Sequence, residues 1–430
     1  MRPADHAPEP DPPAASHDAR PHPGRPADPG VGPEGVGGRA GGRTDRGGRT
    51  GCGGTLAFVE SPVQLLNVLE WAYTSALAAT PAAPADAAPA PADARAGAPA
   101  AEPRPEPRPE PVQLVVLPPH DPMTRGQLRR MAELARDEGH SVRWAEARGG
   151  AAPVRTIGSL AGPLRRASRV VLGDPFSRYV QLLLTLTSAG HVVVVDDGTA
   201  TMEFVAQLAR GERLTRWHQR GSGGPAAALF GPVARRARQR LVPSGRREVE
   251  VFSCLPVDPE ISRLGVTVTA HTFAWTRSRF GPPRLTHGSD LVGTSLVETG
   301  VVDVERYLTA VTELARRNGA TRYFAHRRES AEKLHRISTE AGLEVVRPDL
   351  PLELVARRGP VSRTVLSFPS TVVHTLPLAL RGTAVRVAVC DVDPAWLTEQ
   401  ASPRAQGFLA RVTGTAEAAH RLPPSSPATP

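Results

Sequence analysis

Apolar residues in this chain gather into short continuous runs, separated by stretches in which they recur at helical spacing. The first run is "TLAFV" (55–59), and "ESPVQLLNVLEWAYTSAL" then places Val63, Leu66, Leu69, Ala72 and Tyr73 on one helical face. Strand, short loop and helix in that order open an α/β domain. "VQLVVL" (112–117) predicts a second strand, and "RGQLRRMAELARDEG" (125–139) an amphipathic helix closing at Gly139. Strands follow in "SVRWAEA" and "SRVVLGD" (168–174), a helix in "FSRYVQLLLTLTSAG", and a strand in "HVVVVDDG". These strands are apolar throughout rather than alternating, the pattern of a parallel sheet covered on both faces.

Residues 210–248 interrupt the series with an arginine-dense stretch punctuated by Gly and Pro, which predicts a domain boundary or basic linker. A second series then begins. "VEVFSC" (249–254), "SDLVGTSL" (289–296), "TRYFAH", "LEVVRP", "RTVLSF" (363–368) and "AVRVAVC" (384–390) read as strands. Helices lie between them in "VDVERYLTAVTELARRNG" (302–319), "ESAEKLHRISTEAG" and "PSTVVHTLPLAL". Two Rossmann-like α/β domains in tandem are expected, and the cleft between such domains is the natural ligand site.

Composition trims this picture at its ends. Residues 1–54 and 79–111 are rich in Pro, Ala and charged or small residues without apolar runs, and read as a disordered head and a disordered insertion. The expected division is therefore 55–209 as the first domain, 210–248 as linker, 249–400 as the second domain, and 401–430 as a terminal segment ending in the tail "PPSSPATP". The formal charge is +9 and Lys333 is the single lysine. That arginine bias fits either codon composition or an anionic partner, such as a nucleotide, an acidic glycan or an anionic membrane surface. Nucleic acid is disfavoured by an aromatic content of 4% and by the lack of any recognition motif. Three scattered cysteines, Cys52, Cys254 and Cys390, form no metal or disulfide spacing. With no hydrophobic signal core and no long apolar span, a cytoplasmic protein is expected, soluble or peripheral at the inner membrane face.

Candidate chemistry sits at strand ends. In a doubly wound sheet ligands bind at the carboxyl edge, where the first series places Asp196, Asp197 and Gly198. A neighbouring carboxylate raises a carboxyl pKa toward the range of a general base, although Asp197 or Thr199 could equally cap a helix. In "YFAHRRES" (323–330) a strand ends at His326, followed by Arg327 and Arg328, groups suited to a phosphate or else to solvent. "RTVLSFPSTVVHTL" (363–376) runs from strand into Pro369, Ser370 and Thr371 at a helix start, an anion pocket or an ordinary cap. Glu353 in "LPLELV" could accept from a ribose diol or lie exposed on a helix.

An acidic pair with Gly, a strand-end His, a "P-x-E" and a Ser/Thr pair, in that order, resemble the motifs of bacterial sialyltransferases and polysialyltransferases of the GT-B class. "VESPVQLLNVLEW" (59–71) and "LVGTSLVETGVVDVERYL" (291–308) are similar to the same group. The resemblance implies a GT-B-like fold with two parallel sheets facing across a cleft, and transfer of a sialic acid from CMP-sialic acid with inversion, with no metal or other cofactor. Asp197 would be the base that deprotonates a glycan hydroxyl, oriented by Asp196. His326 would assist departure of CMP, Ser370 and Thr371 would hold its phosphate, and Glu353 its ribose. Ser61 and Gln64 would face the acceptor, and Arg327 would stand on the donor side, where the family has proline. Two other classes compete: a magnesium-holding phospho-acceptor domain using the paired aspartates, and a binding protein without turnover. The first lacks a strand-end lysine, since Lys333 falls in a helix.

Overall fold

Two parallel sheets carry the chain. The computed structural model describes residues 53–80, 109–147, 152–216, 225–399, 401, 403–415 and 419–422. Of the segments expected to be disordered, nearly all of 1–54, residues 81–108 of the insertion and the tail lie outside these described residues.

The first sheet is built from β1 (Thr55–Val59), α1 (Pro62–Ala79), β2 (Val112–Val116), α2 (Pro122–Asp137), β3 (Ser141–Trp144), α3 (Ala152–Arg166), β4 (Arg169–Leu172), α4 (Arg178–Leu186), β5 (His191–Val195), α5 (Thr199–Ala209), α6 (Pro225–Arg240), β6 (Glu248–Ser253), α7 (Glu260–Arg263), β7 (Thr267–Ala270) and α8 (Ala274–Arg279). Its strands run in the order β3-β2-β1-β4-β5-β6-β7, every pairing parallel. The continuous apolar runs follow from this: Leu56 and Phe58 pack into one core, while Ala57 and Val59 pack into the core on the opposite face. All four valines 192–195 are fully buried, each stabilising the sheet by about 1.5–3 kcal/mol relative to exposure.

The second sheet comprises β8 (Leu285–Val292), α9 (Val304–Asn318), β9 (Ala320–Phe324), α10 (Ala331–Glu340), β10 (Glu344–Val346), α11 (Leu352–Arg358), β11 (Val361–Ser367), α12 (Val372–Ala379), β12 (Arg386–Cys390), α13 (Pro403–Thr415) and β13 (His420–Leu422). Its order, β10-β9-β8-β11-β12-β13, is again wholly parallel. In both sheets the order reverses beside the first strand, between β1 and β4 and between β8 and β11. Two doubly wound α/β units are thus present, as expected. They share packing: Leu350, Leu354 and Ala379 from the second join Phe273 and Trp275 in a core of the first. Gln127 donates to the Pro348 carbonyl at 2.7 Å, and Arg130 pairs with Asp349 at 2.5 Å.

The domain boundary differs from the expected one. β6, assigned by its sequence to the second domain, pairs with β5 in the first sheet, and β7 extends that sheet further. The first unit therefore runs through α8. Within 210–248, α6 is a helix rather than a linker, with Ala237 and the following Leu241 fully buried against the first core. Its arginines masked that apolar stripe. β8 begins at Leu285, four residues before the expected start, because the polar "LTHGS" crosses a register shift at Ser289 and Asp290. The terminal segment from 401 contributes α13 and β13 to the second sheet.

Candidate functional site

The carboxyl edge of the first sheet is acidic. Asp196 ends β5 but faces inward: it is 3% exposed, with Oδ1 accepting from Ser253 Oγ (2.6 Å) and Oδ2 from the Cys254 N–H (2.8 Å). Its carbonyl accepts from Asn67 Nδ2 at 2.8 Å. Asp196 thus ties β5 to β6 and α1. Asp197 points the other way. Its N–H donates to Thr201 Oγ1 (2.8 Å), Ser61 Oγ lies 3.5 Å from Oδ1, and Arg216 Nη2 lies 3.8 Å from Oδ2. Gly198 then turns the chain at φ +65°, a conformation that favours glycine, into α5.

The Asp197 carboxyl is pushed up to about 7, first by burial and then by the Asp174 carboxylate; a Gln64 hydrogen bond and the charges of Arg216 and Arg327 oppose the rise. The second carboxylate is therefore Asp174, past the end of β4, and not the adjacent Asp196. Asp174 is 5% exposed and grips Arg216 at 2.5 Å. Ser61 caps α1, accepting from the Gln64 N–H at 3.2 Å, and Gln64 is buried with Oε1 accepting from the Glu60 N–H at 2.7 Å. Both residues stand directly around the Asp197 carboxylate.

The carboxyl edge of the second sheet is cationic. His326, Arg327 and Arg328 follow β9. Burial lowers the His326 imidazole to about 4, helped by the charges of Arg327, Arg328 and Lys333. Its Nδ1 accepts from the Arg328 N–H at 3.2 Å, so the neutral ring carries its proton on Nε2 and offers it as a donor. Arg327 makes no hydrogen bond or ion pair among the described residues, although its charge is felt by both Asp197 and Asp121 of the first unit. After β11, Ser370 Oγ lies 3.4 Å from Ser367 Oγ, and Thr371 is the N-cap of α12 with its hydroxyl free of any capping bond. Glu353 is buried in the first turn of α11 and accepts from Thr375 Oγ1 at 2.6 Å. An exposed helix carboxylate is ruled out at that position.

The two edges meet. A Cβ built on Gly198 would lie 3.6 Å from the Thr371 side chain. The structure thus assembles Ser61, Gln64, Asp197, Arg327 and Thr371 around one place, with His326 and Ser370 on neighbouring loops of the second sheet. Asp196 stands behind this place as a strut rather than as a partner of Asp197. Sequence reasoning missed Asp174 and Arg216. Asp174 carried a signal, because "VVLGD" ends a strand on glycine and acid much as "VVVVDDG" does; Arg216 was concealed among the arginines of the apparent linker.

One set of metal-ligand types comes together among the described residues: Asp196, Cys254 and His271, with donor atoms within 4.8 Å of one another. Both Asp196 oxygens already accept hydrogen bonds. The Cys254 thiol is pushed well above its ordinary range by burial, then by Asp196 and Glu353.

No protein-family model matches the chain, and no curated protein does. Similar solved structures include Os79 from O. sativa in complex with UDP, at 14% identity over 85% of this chain and 86% of that one, with a TM-score of 0.40. The UGT2 of Phytolacca americana complexed with UDP-2fluoro-glucose and pterostilbene gives 13% over 86% and 85%, TM-score 0.41. The E. coli heptosyltransferase WaaC with ADP gives 14% over 85% and 99%, TM-score 0.32. Likeness at this level carries no argument about reaction or substrate, which must come from the chain's own residues.

Proposed function

We propose that the protein is a glycosyltransferase that moves sialic acid or a related acidic sugar from a CMP-sugar to a hydroxyl of a glycan acceptor, with inversion and without a divalent metal. The observation that carries this reading is Asp197, a carboxyl raised to about 7 on one sheet edge, facing the arginine and hydroxyls of the other. A base poised there takes the proton of the acceptor hydroxyl as its oxygen attacks the anomeric carbon. The bond from that carbon to the phosphate oxygen breaks, and the leaving phosphate gains negative charge. Arg327, the His326 Nε2–H and the Ser370 and Thr371 hydroxyls are the donors and the cation suited to receive it. In the same reading Glu353, whose carboxylate accepts from Thr375 Oγ1 of α12, serves the ribose. The motif order supports CMP as the nucleotide, and the acidic sugar follows from the same resemblance.

Calorimetric titration with CMP, UDP, GDP and ADP, with and without EDTA, tests the reading. Selective CMP binding that ignores EDTA and weakens in His326→Ala is expected. A preference for UDP or ADP would keep the nucleotide-sugar class and overturn the donor. Binding of none of the four would sink the proposal.

A further inference from the structure

Every base among the 52 Lys and Arg residues is arginine except Lys333. It lies on α10, just past the cationic loop, and is 2% exposed. Its ammonium reaches Glu329 Oε1 at 2.8 Å, Glu298 at 3.1 Å and the Thr294 carbonyl at 3.0 Å, with the Tyr307 ring 4.6 Å away. An ammonium offers three donors, and this pocket supplies three acceptors. A guanidinium would bring five donors in a wider planar fork against the same closed wall. In a chain that otherwise uses arginine, the compact cation is found where only a compact cation fits.

Glu329 is the next link. Its Oε2 accepts from the His326 N–H at 2.5 Å and its Oε1 from Tyr323 Oη at 2.6 Å, while Tyr323 Oη meets Tyr307 Oη at 2.7 Å. The carboxylate also presses on the loop after β8: a Cβ on Gly293 would stand 2.2 Å from Glu329 Oε2, so only glycine allows this approach. The loops that follow β8 and β9 are thereby fixed to one another, beside the reversal of strand order where ligands bind in such sheets. Burial raises the Glu329 carboxyl, and Lys333 is the first of the groups that oppose the rise.

We propose that Lys333 is a positioning residue for the leaving-group pocket: through Glu329 it holds the backbone of His326 so that the imidazole Nε2–H faces a bound phosphate. This rests on the reading of His326 as a leaving-group residue, yet its first test needs no nucleotide. The His326 imidazole is followed by NMR titration in the full chain, in wild type, Lys333→Met and Lys333→Arg, alongside thermal melts and calorimetry with CMP. Both variants are expected to fold. Lys333→Met should titrate His326 at higher pH because a nearby positive charge is gone, and Lys333→Arg, which keeps that charge, should shift the titration through lost geometry alone. CMP affinity is expected to fall about tenfold or more, and Lys333→Arg should not restore it. If Lys333→Met does not fold, Glu329→Gln, which keeps an acceptor for the His326 N–H but removes the charge, is expected to shift the same titration. A folded variant whose stability drops while the His326 titration and CMP affinity stay at wild-type values would overturn the proposal, leaving Lys333 a purely structural cation. Wild-type protein that binds no CMP would overturn the donor reading alone, and a His326 titration moved in Lys333→Arg, where the charge is kept, would still uphold the role of Lys333.

Discussion

The two sheets share one strand order yet end in opposite charge. The first closes on Asp174 and Asp197, whose burial and mutual repulsion push Asp197 up to about 7. The second closes on His326, Arg327 and Arg328, where burial and like charge push the histidine down to about 4. Each edge shifts a titratable group toward its uncharged form, the carboxyl upward and the imidazole downward. Topology sets where a ligand could sit; in the proposed reading, the few side chains past each strand end divide the work into proton removal on one side and anion holding on the other. A contrast recurs within one dipeptide, since Asp196 is engaged in holding β6 while Asp197 turns toward the second sheet.

The largest expected effect breaks the acidic edge alone. Asp197→Asn should cut transfer by about 10²–10⁴-fold, the usual contribution of a general base, while CMP affinity measured by calorimetry stays within about twofold. A parallel loss of both would mean that Asp197 belongs to nucleotide binding and that the division between edges is wrong. Next comes the cationic edge. Arg327→Ala should weaken CMP binding by about 10–100-fold, as removal of a charge-assisted contact does, and should also lower the rate at saturating donor, because the same charge meets the leaving phosphate. Unchanged affinity would place Arg327 outside the phosphate site.

How much of this was legible in the sequence differs between fold and site. The α/β class and the strands β1, β2, β4 and β5 were legible because buried parallel strands are mostly continuous apolar runs. β7 was not: "TVTA" is polar and largely exposed at the sheet edge. α6 was hidden because Ala237, which it buries, and the Leu241 that follows it stand among arginines. At the site, the strand-end motifs located Asp197, His326, Ser370 and Thr371, yet the partner of Asp197 was misassigned. Adjacency in sequence suggested Asp196, but successive residues past a strand point to opposite sides, so the nearby carboxylate comes from the neighbouring strand β4. Glu329 and Lys333 were visible only as a helical pair, and nothing in their spacing reveals that the pair closes on the backbone of His326.

A stability measurement sharpens the contrast next. The Asp197 carboxyl stands near 3.8 when unfolded and about 7 when folded. Its contribution is therefore fully present below about 4 and is lost as pH rises through about 7. Asp197→Asn should match wild type in urea melts near pH 4 and exceed it by about 1–3 kcal/mol at pH 8. Equal stability at both pH values would show that Asp197 carries no such strain.

The smallest effect separates the two candidate partners of that carboxyl. Asp174→Asn removes the like charge and frees Arg216 to pair with Asp197, both of which favour the ionised form. The acidic limb of the kcat/KM profile should move down by about one pH unit. Asp196→Asn leaves the Asp174 charge in place and should leave the limb unmoved, at the cost of a lower melting temperature, because Ser253 and the Cys254 N–H lose their charged acceptor. The reverse pattern, a limb shifted by Asp196→Asn and not by Asp174→Asn, would return the pairing to the adjacent aspartates and undo the geometric assignment. With the expected pattern, the acid that tunes Asp197 comes from the neighbouring strand, and the doubled aspartate is one strut and one base.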